Sequence, residues 1–139
     1  MKSVIFSGIL AVSLGLAQGA VAQDGVFRNY EELRSDLDQY MKSRDIKSVM
    51  LRFGGADEMT IQQLDNLQGR VRQIFPQDFT EAALVRRNEM ENGWSQELIS
   101  YRTGISYIFA YLVLHQLDDA IVSVNFQFNT DFNDLNAQF

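Results

Sequence analysis

The feature that most constrains this chain is a change in the spacing of its apolar residues, which falls at the single proline, Pro76. Before Pro76, apolar residues recur at intervals of three and four, the spacing of one face of an α-helix. After it they alternate with polar residues, as in β-strands, whose side chains point to opposite faces in turn. The sequence therefore predicts an α+β fold, with helices first and a sheet after them.

Three helices are predicted before Pro76, and their ends carry recognisable signals. The second ends at Gly54-Gly55, because glycine adopts the left-handed conformation that ends helices. The third begins at Thr60, which forms a T-x-x-Q capping box with Gln63, and ends at Pro76. Their predicted apolar faces are Tyr30, Leu33, Leu37, Tyr40 and Met41; Ile46, Val49, Met50 and Phe53; and Ile61, Leu64, Leu67, Val71, Ile74 and Phe75.

Four strands are predicted after Pro76, over residues 80–91, 94–102, 105–117 and 120–130. The breaks between them, Asn92-Gly93, Thr103-Gly104 and Asp118-Asp119, are short enough to force antiparallel neighbours. The expected fold is thus two or three N-terminal helices packed on one face of a four-stranded antiparallel meander sheet. Residues 131–139 are expected to form a C-terminal tail.

Pairing these strands predicts the two faces of the sheet. A two-residue turn at Asp118-Asp119 places His115 opposite Val122. One strongly apolar face is then expected to pack on the helices. A ligand pocket is predicted between that face and the helices, lined by Trp94, Leu98, Tyr107, Phe109, Tyr111, His115 and Phe126.

The opposite face is predicted to expose an apolar patch, which usually marks an interface. A two-fold homodimer is one expectation, and coverage by the first helix or the C-terminal tail is the alternative. The patch is formed by Ile99, Ile108, Ala110, Leu112 and Leu114.

The register of the first strand stays open. The Asn92-Gly93 turn puts Arg87 and Glu89 on the helix-covered face, whereas a β-bulge would reverse the assignment. The strand is expected at a sheet edge, where charged residues protect against aggregation.

Residues 1–22 are predicted to be a secretory signal peptide. Lys2 gives the positive start, residues 4–17 are uncharged and mostly apolar, and Ala20-Val21-Ala22 offers a cleavage pattern. An uncleaved N-terminal anchor is the alternative. Residues 23–139 would form one α+β domain, exported to a bacterial periplasm or secreted, with no membrane span after cleavage.

Composition excludes several classes of function. The chain has no cysteine and one histidine, which removes disulfides, Cys-based metal sites and cysteine nucleophiles. The net charge of −6 argues against a nucleic-acid partner, because phosphate binding needs clustered cations. Neither the Asp118-Asp119 turn nor the Asp131–Asp134 segment has the spacing of a metal loop, so no metal and no cofactor are expected.

The layout of residues 29–130 resembles the cystatin-like and nuclear transport factor 2-like α+β cone folds, including small exported bacterial domains of unknown function. The resemblance rests on Thr60-Ile61-Gln62-Gln63-Leu64, Pro76, the Asn92-Gly93 hairpin and the long strand Tyr107–His115. It implies a curved sheet around helices, a pocket between the two layers, and often a homodimer. The cystatin Q-x-V-x-G loop does not occur.

These observations predict an exported, non-catalytic binding or assembly module that holds a small, largely apolar ligand between helices and sheet. The alternative is an isomerase- or hydrolase-like enzyme. It would use His115 as a general base, or a pocket tyrosine, Tyr107 or Tyr111, beside a carboxylate such as Glu89.

Overall fold

The computed structural model describes residues 6–9, 24–54 and 58–139, which build helices and then a meander sheet. The helices are α1 (Tyr30–Lys42), α2 (Ile46–Phe53), α3 (Ile61–Ile74) and the short α4 (Phe132–Asn136). The strands are β1 (Phe6–Ile9), β2 (Val26–Phe27), β3 (Glu81–Glu89), β4 (Trp94–Thr103), β5 (Ser106–Gln116) and β6 (Ile121–Asn129).

The sheet is antiparallel and runs in the order β1-β6-β5-β4-β3, with β2 also paired to β6. The predicted α+β class and the meander β3–β6 are confirmed, and α1, α2 and α3 pack on one face of it. The described sheet is larger than the predicted one because β1 and β2 extend it beyond β6.

The N-terminal strand β1 lies within the predicted signal peptide. It pairs with β6, placing the backbone of Phe6 opposite that of Phe128. The rest of the predicted signal peptide, residues 1–5 and 10–22, lies outside the described residues. The signal peptide and its cleavage stay a prediction.

The helix ends follow the local sequence closely. Asn29 caps α1 by accepting a hydrogen bond from the Glu32 amide, and Asp45 caps α2 in the same way. Thr60 and Gln63 form the predicted capping box, with both reciprocal hydrogen bonds present. These bonds satisfy backbone N–H groups that the first turn of a helix leaves without partners.

The core lies between the three long helices and the inner face of the sheet. The apolar faces predicted for α1 and α2 are confirmed, with Tyr30 and Tyr40 only partly buried. On α3 the end residues Ile61 and Ile74 are exposed, whereas the apolar residues Leu64, Leu67 and Val71 between them are buried. The buried helix residues are Leu33, Leu37, Met41, Ile46, Val49, Met50, Phe53, Leu64, Leu67 and Val71.

Two β-bulges shift the register of the meander. His115 pairs with Val122 as predicted, but the register shifts by one residue between Val113 and Leu114, so Leu112 pairs with Phe126. A second shift, in β3, lies between Leu84 and Arg86. Because side chains alternate along a strand, each bulge changes which residues share a face.

The predicted assignment of the two faces is wrong, because the helices cover the other side of the sheet. The helix-covered face carries Ile99, Tyr101, Ile108, Ala110, Leu112 and Leu114. The opposite face carries Leu98, Phe109, Tyr111 and Val113, and packs on the C-terminal segment through Phe132, Leu135 and Phe139. Both faces are apolar enough to be covered, so alternation alone did not identify the one that meets the helices.

Candidate functional site

A solvent-open cavity of about 610 Å³ lies where the start of α1 meets the end of β3 and the start of β4. Its mouth is formed by exposed side chains of the edge strand β3 and the residue that follows it, Met90. The lining residues are Tyr30, Leu84, Arg87, Glu89, Met90, Gly93, Trp94, Ser95, Glu97, Gln116 and Ile121.

A fully buried carboxylate, that of Glu97, lies at this cavity. The Tyr30 hydroxyl donates to its Oε1 at 2.7 Å, and Arg87 pairs with its Oε2. A buried charge without partners is strongly unfavourable, so these two contacts are what allow a carboxylate at this position.

The backbone explains why these three residues meet. In β4 the alternation that points Ile99 and Tyr101 into the core points Glu97 the same way. Arg87 is its direct cross-strand neighbour on β3. Tyr30 is the first residue of α1, immediately after its Asn29 cap.

A chain of polar contacts leads from the cavity into the interior. The Arg34 guanidinium donates to the Tyr30 hydroxyl at 3.0 Å and pairs with Asp38 at 3.4 Å. The buried Tyr101 hydroxyl donates to Asp38 at 2.6 Å. These contacts link α1 to β4 through side chains that each have a partner.

Tyr30 and Tyr101, the two tyrosines in this series of polar contacts, are held in their protonated form. Burial raises the pKa of Tyr30, and its hydrogen bond to Glu97 raises it further, while Arg34 opposes the change. Burial and the neighbouring Asp38 raise the pKa of Tyr101 well above 10.0. Both hydroxyls therefore act as hydrogen-bond donors at neutral pH.

The mouth of the cavity combines charge with apolar surface. Arg87 donates from Nε and Nη2 to Glu89 at 3.3 and 3.1 Å, in addition to its contact with Glu97. Glu89 is well exposed, and so are Leu84 and Met90, which also line the cavity. The exposed part of the cavity lining therefore presents both charged and apolar groups.

The structure does not bring the predicted pocket residues together as one site. Trp94 lines the cavity, and Phe126 lies in the helix-side core. The other predicted pocket residues, Leu98, Tyr107, Phe109, Tyr111 and His115, share the strand alternation of the opposite face, where Leu98, Phe109 and Tyr111 pack on the C-terminal segment.

The proposed catalytic candidates have other partners. His115 stacks on Trp94, with ring centroids 4.2 Å apart, and its Nε2 is 3.1 Å from the backbone oxygen of Asn92. The Tyr111 hydroxyl accepts a hydrogen bond from the Gln96 amide at 2.8 Å. Tyr107 stacks on Phe109 and is 42% exposed. None of these contacts is with a carboxylate.

The predicted dimer patch is not on the surface. Each of its residues is fully buried beneath the helices, so the prediction of an exposed patch is wrong. Of the two alternative covers, the first helix, α1, is among the helices that cover these residues, whereas the C-terminal tail folds back on the opposite face. The residues concerned are Ile99, Ile108, Ala110, Leu112 and Leu114.

Sequence analysis missed Tyr30, Arg87 and Glu97 as members of one site. The available signal was Glu97 itself, an ionisable residue in an alternating series whose next two members are Ile99 and Tyr101. Glu89, considered as an inner-face carboxylate, is at the cavity mouth.

Comparisons with known proteins add no assignment: no family model, no curated protein and no solved structure matches the chain.

In residues 24–54 and 58–139, no three His, Asp or Glu side chains are grouped to hold a metal ion. Asp131 instead caps α4 by accepting from the Asn133 amide. Among the helices of the described segments, none is long and apolar enough to cross a membrane.

Proposed function

We propose that this protein is an exported, non-catalytic binding module whose cavity holds a small ligand with a largely apolar body. The observation that carries the proposal is that the buried Glu97 carboxylate is engaged by protein partners. Both of its oxygens are held, one by Tyr30 and the other by Arg87. A buried carboxylate occupied in this way shapes a cavity wall, whereas a general base needs access to a substrate proton.

The cavity wall suits an apolar body. The lining includes the apolar residues Leu84, Met90 and Ile121, and the aromatic residue Trp94. Ligand sites in proteins are usually concave and mostly apolar, with a few polar groups that fix orientation. The predicted signal peptide supports export to a bacterial periplasm or the medium, where such a module would meet its ligand.

The test compares two neighbouring residues of similar exposure on β3. Leu84 is 44% exposed and lines the cavity, whereas Val85 is 47% exposed and does not. We expect Leu84→Tyr to narrow the mouth and weaken binding about tenfold, the effect of losing ~1.4 kcal/mol of binding free energy, while Val85→Tyr leaves binding unchanged. Trp94 fluorescence, titrated with a panel of lipids, sterols and aromatic metabolites, reads the binding.

Two outcomes would count against the binding proposal. One is that no compound in the panel changes Trp94 emission. The other is that Leu84→Tyr and Val85→Tyr have equal effects, which would place the ligand elsewhere. Circular dichroism melting of both variants checks that the fold is unchanged.

A specific contact also favours the second candidate, an isomerase-like enzyme. Tyr30 is a protonated phenol beside the buried Glu97 in a solvent-open cavity. In such enzymes a phenol donates to the oxygen on which negative charge develops, so Tyr30 would have to transfer its one donated hydrogen bond from Glu97 to the substrate. Tyr30 would take the role that sequence analysis gave to Tyr107 or Tyr111.

Deuterium exchange separates the two candidates. An isomerase should exchange the protons beside the carbonyl of 4-phenyl-2-butanone in heavy water, and Tyr30→Phe should slow that exchange about 100-fold or more. A binding module should give only the background exchange rate, with wild type and Tyr30→Phe alike. Proton NMR of the ketone measures the rate directly.

A further inference from the structure

The charges that line the cavity do not balance. Its described lining contains two carboxylates, Glu89 and Glu97, and a single cation, Arg87. The whole chain has the same sign, with a net charge of −6. The electrostatic field in the cavity therefore favours a cationic ligand, because the excess negative charge of the lining would repel an anion.

Arg87 is already committed to both carboxylates. Its Nη1 contacts Glu97, and its Nε and Nη2 donate to Glu89. An anionic ligand that approached Arg87 would have to compete with two carboxylates held in place. This argues against a ligand carboxylate or phosphate at the guanidinium.

Glu89 keeps an acceptor for a ligand. Both Arg87 hydrogen bonds go to its Oε1, and among the described residues no hydrogen bond reaches its Oε2. Glu89 lies at the cavity mouth with the apolar side chains of Leu84 and Met90. One free carboxylate oxygen beside apolar surface matches a ligand with an ammonium group on an apolar body.

We propose that the ligand is a small amphipathic primary amine, with its ammonium at Glu89 and its apolar body against Leu84 and Met90. This inference rests on the proposed binding function. It goes beyond it by assigning the charge of the ligand and the residue that recognises that charge.

The test uses three compounds that share one apolar body and differ in charge: 4-phenylbutylamine, 4-phenylbutanol and 4-phenylbutyrate. Isothermal titration calorimetry on the full chain should rank them amine, alcohol, acid in falling affinity. The advantage of the amine over the alcohol should be about threefold to fivefold and should shrink at high salt, as for a solvent-exposed ion pair.

Glu89→Gln and Glu91→Gln form a matched pair, because both residues are exposed acids and only Glu89 lines the cavity. Glu89→Gln should reduce amine affinity to that of the alcohol, while Glu91→Gln should not. If the alcohol or the acid binds as well as the amine to wild type, the amine assignment is wrong and the binding function stands. If none of the three binds, the amine assignment is overturned, and the compound panel then decides the binding function.

Discussion

Glu97 has no exposed surface, and its charge is held by Arg87 on the edge strand and Tyr30 on α1. Removing one partner of a buried ion pair leaves an uncompensated charge in a poorly solvated place. Arg87 is 38% exposed, so water would compensate part of that loss.

Arg87→Met should therefore destabilise the protein by about 2–3 kcal/mol, somewhat below the usual cost of breaking a fully buried pair. Urea unfolding measures the change. The double variant Arg87→Met with Glu97→Gln should recover part of the loss, because the stranded charge is then gone. A loss no greater than that of Arg70→Met, on the exposed side of α3, would contradict this account.

The raised pKa of Tyr101 predicts that the free energy of unfolding falls at alkaline pH. Burial and the nearby Asp38 raise its pKa well above 10.0, so the native state holds the phenolic proton more tightly than the unfolded chain does. The stability from this difference is complete below pH 10 and is lost as the pH rises through the raised pKa.

Tyr101→Phe should show a flatter decline in unfolding free energy between pH 9 and pH 11 than wild type. Urea unfolding at several values in that window measures it. Tyr30, whose pKa is also raised, is present in both proteins. Parallel curves for the two proteins would show that Tyr101 does not titrate in this way.

At the scale of elements, alanine substitutions at Gly93 and Gly69 are expected to change stability in opposite directions. Gly93 ends the turn between β3 and β4 with φ +82°, and a Cβ there would lie 2.7 Å from the backbone oxygen of Gln116. Gly69 is exposed within α3, and a Cβ there would meet nothing within 4 Å.

Gly93→Ala should destabilise the fold by about 1–3 kcal/mol, because it combines left-handed strain with a backbone clash. Gly69→Ala should instead stabilise it by about 0.5–1 kcal/mol, the usual gain of alanine over glycine inside a helix. Thermal melting of both variants checks the signs. If Gly93→Ala instead raised the melting temperature, the turn would relax around the new side chain at no cost in stability.

Local signals explain which elements the sequence could predict. The capping box of Thr60, the end of α2 at Gly54 and the positive φ values of Asn92 and Gly93 each depend on a few adjacent residues. Each signal acts within one turn of chain, so the sequence contains all that decides it.

Register and facing could not be predicted in the same way. Unbroken alternation places Tyr111 and Phe126 on one face, but the bulge of β6 at Val124 leaves Phe126 and Phe128 on the helix-covered face and Tyr111 on the other. The Glu91–Gly93 turn is one residue longer than the expected two-residue turn. Single-residue shifts of this kind depend on packing between distant strands, and the site that joins Tyr30 to Glu97 depends on them too.

At the scale of the whole molecule, the C-terminal segment covers part of the outer face of the sheet. Leu135 is buried against Leu98 and Tyr111, and Phe139 packs edge-on to Tyr111 at 5.5 Å. Gln96 also donates to the backbone oxygen of Gln138 at 3.1 Å. This cover accounts for an apolar outer face without a second chain.

Leu135→Asp should lift this cover, since a carboxylate cannot stay buried in the apolar cluster without a partner. We expect stronger binding of the dye ANS and self-association that rises with concentration, because a newly exposed apolar face seeks another surface. Light scattering measures the association. Asn133→Asp, an exposed change on the same helix, should alter neither; an unchanged ANS signal for Leu135→Asp would contradict the sealing role.

The pairing of β2 with β6 also sets an order of events during synthesis. In the described chain, Val26 and Phe27 form ladder pairs only with Val122 and Ile121, close to the other end of the sequence. The core under α2 is likewise incomplete without Phe126, whose ring centroid is 5.5 Å from that of Phe53. A nascent chain that ends before β6 thus lacks both contacts, so the fold closes only when its last strand has left the ribosome or the export channel.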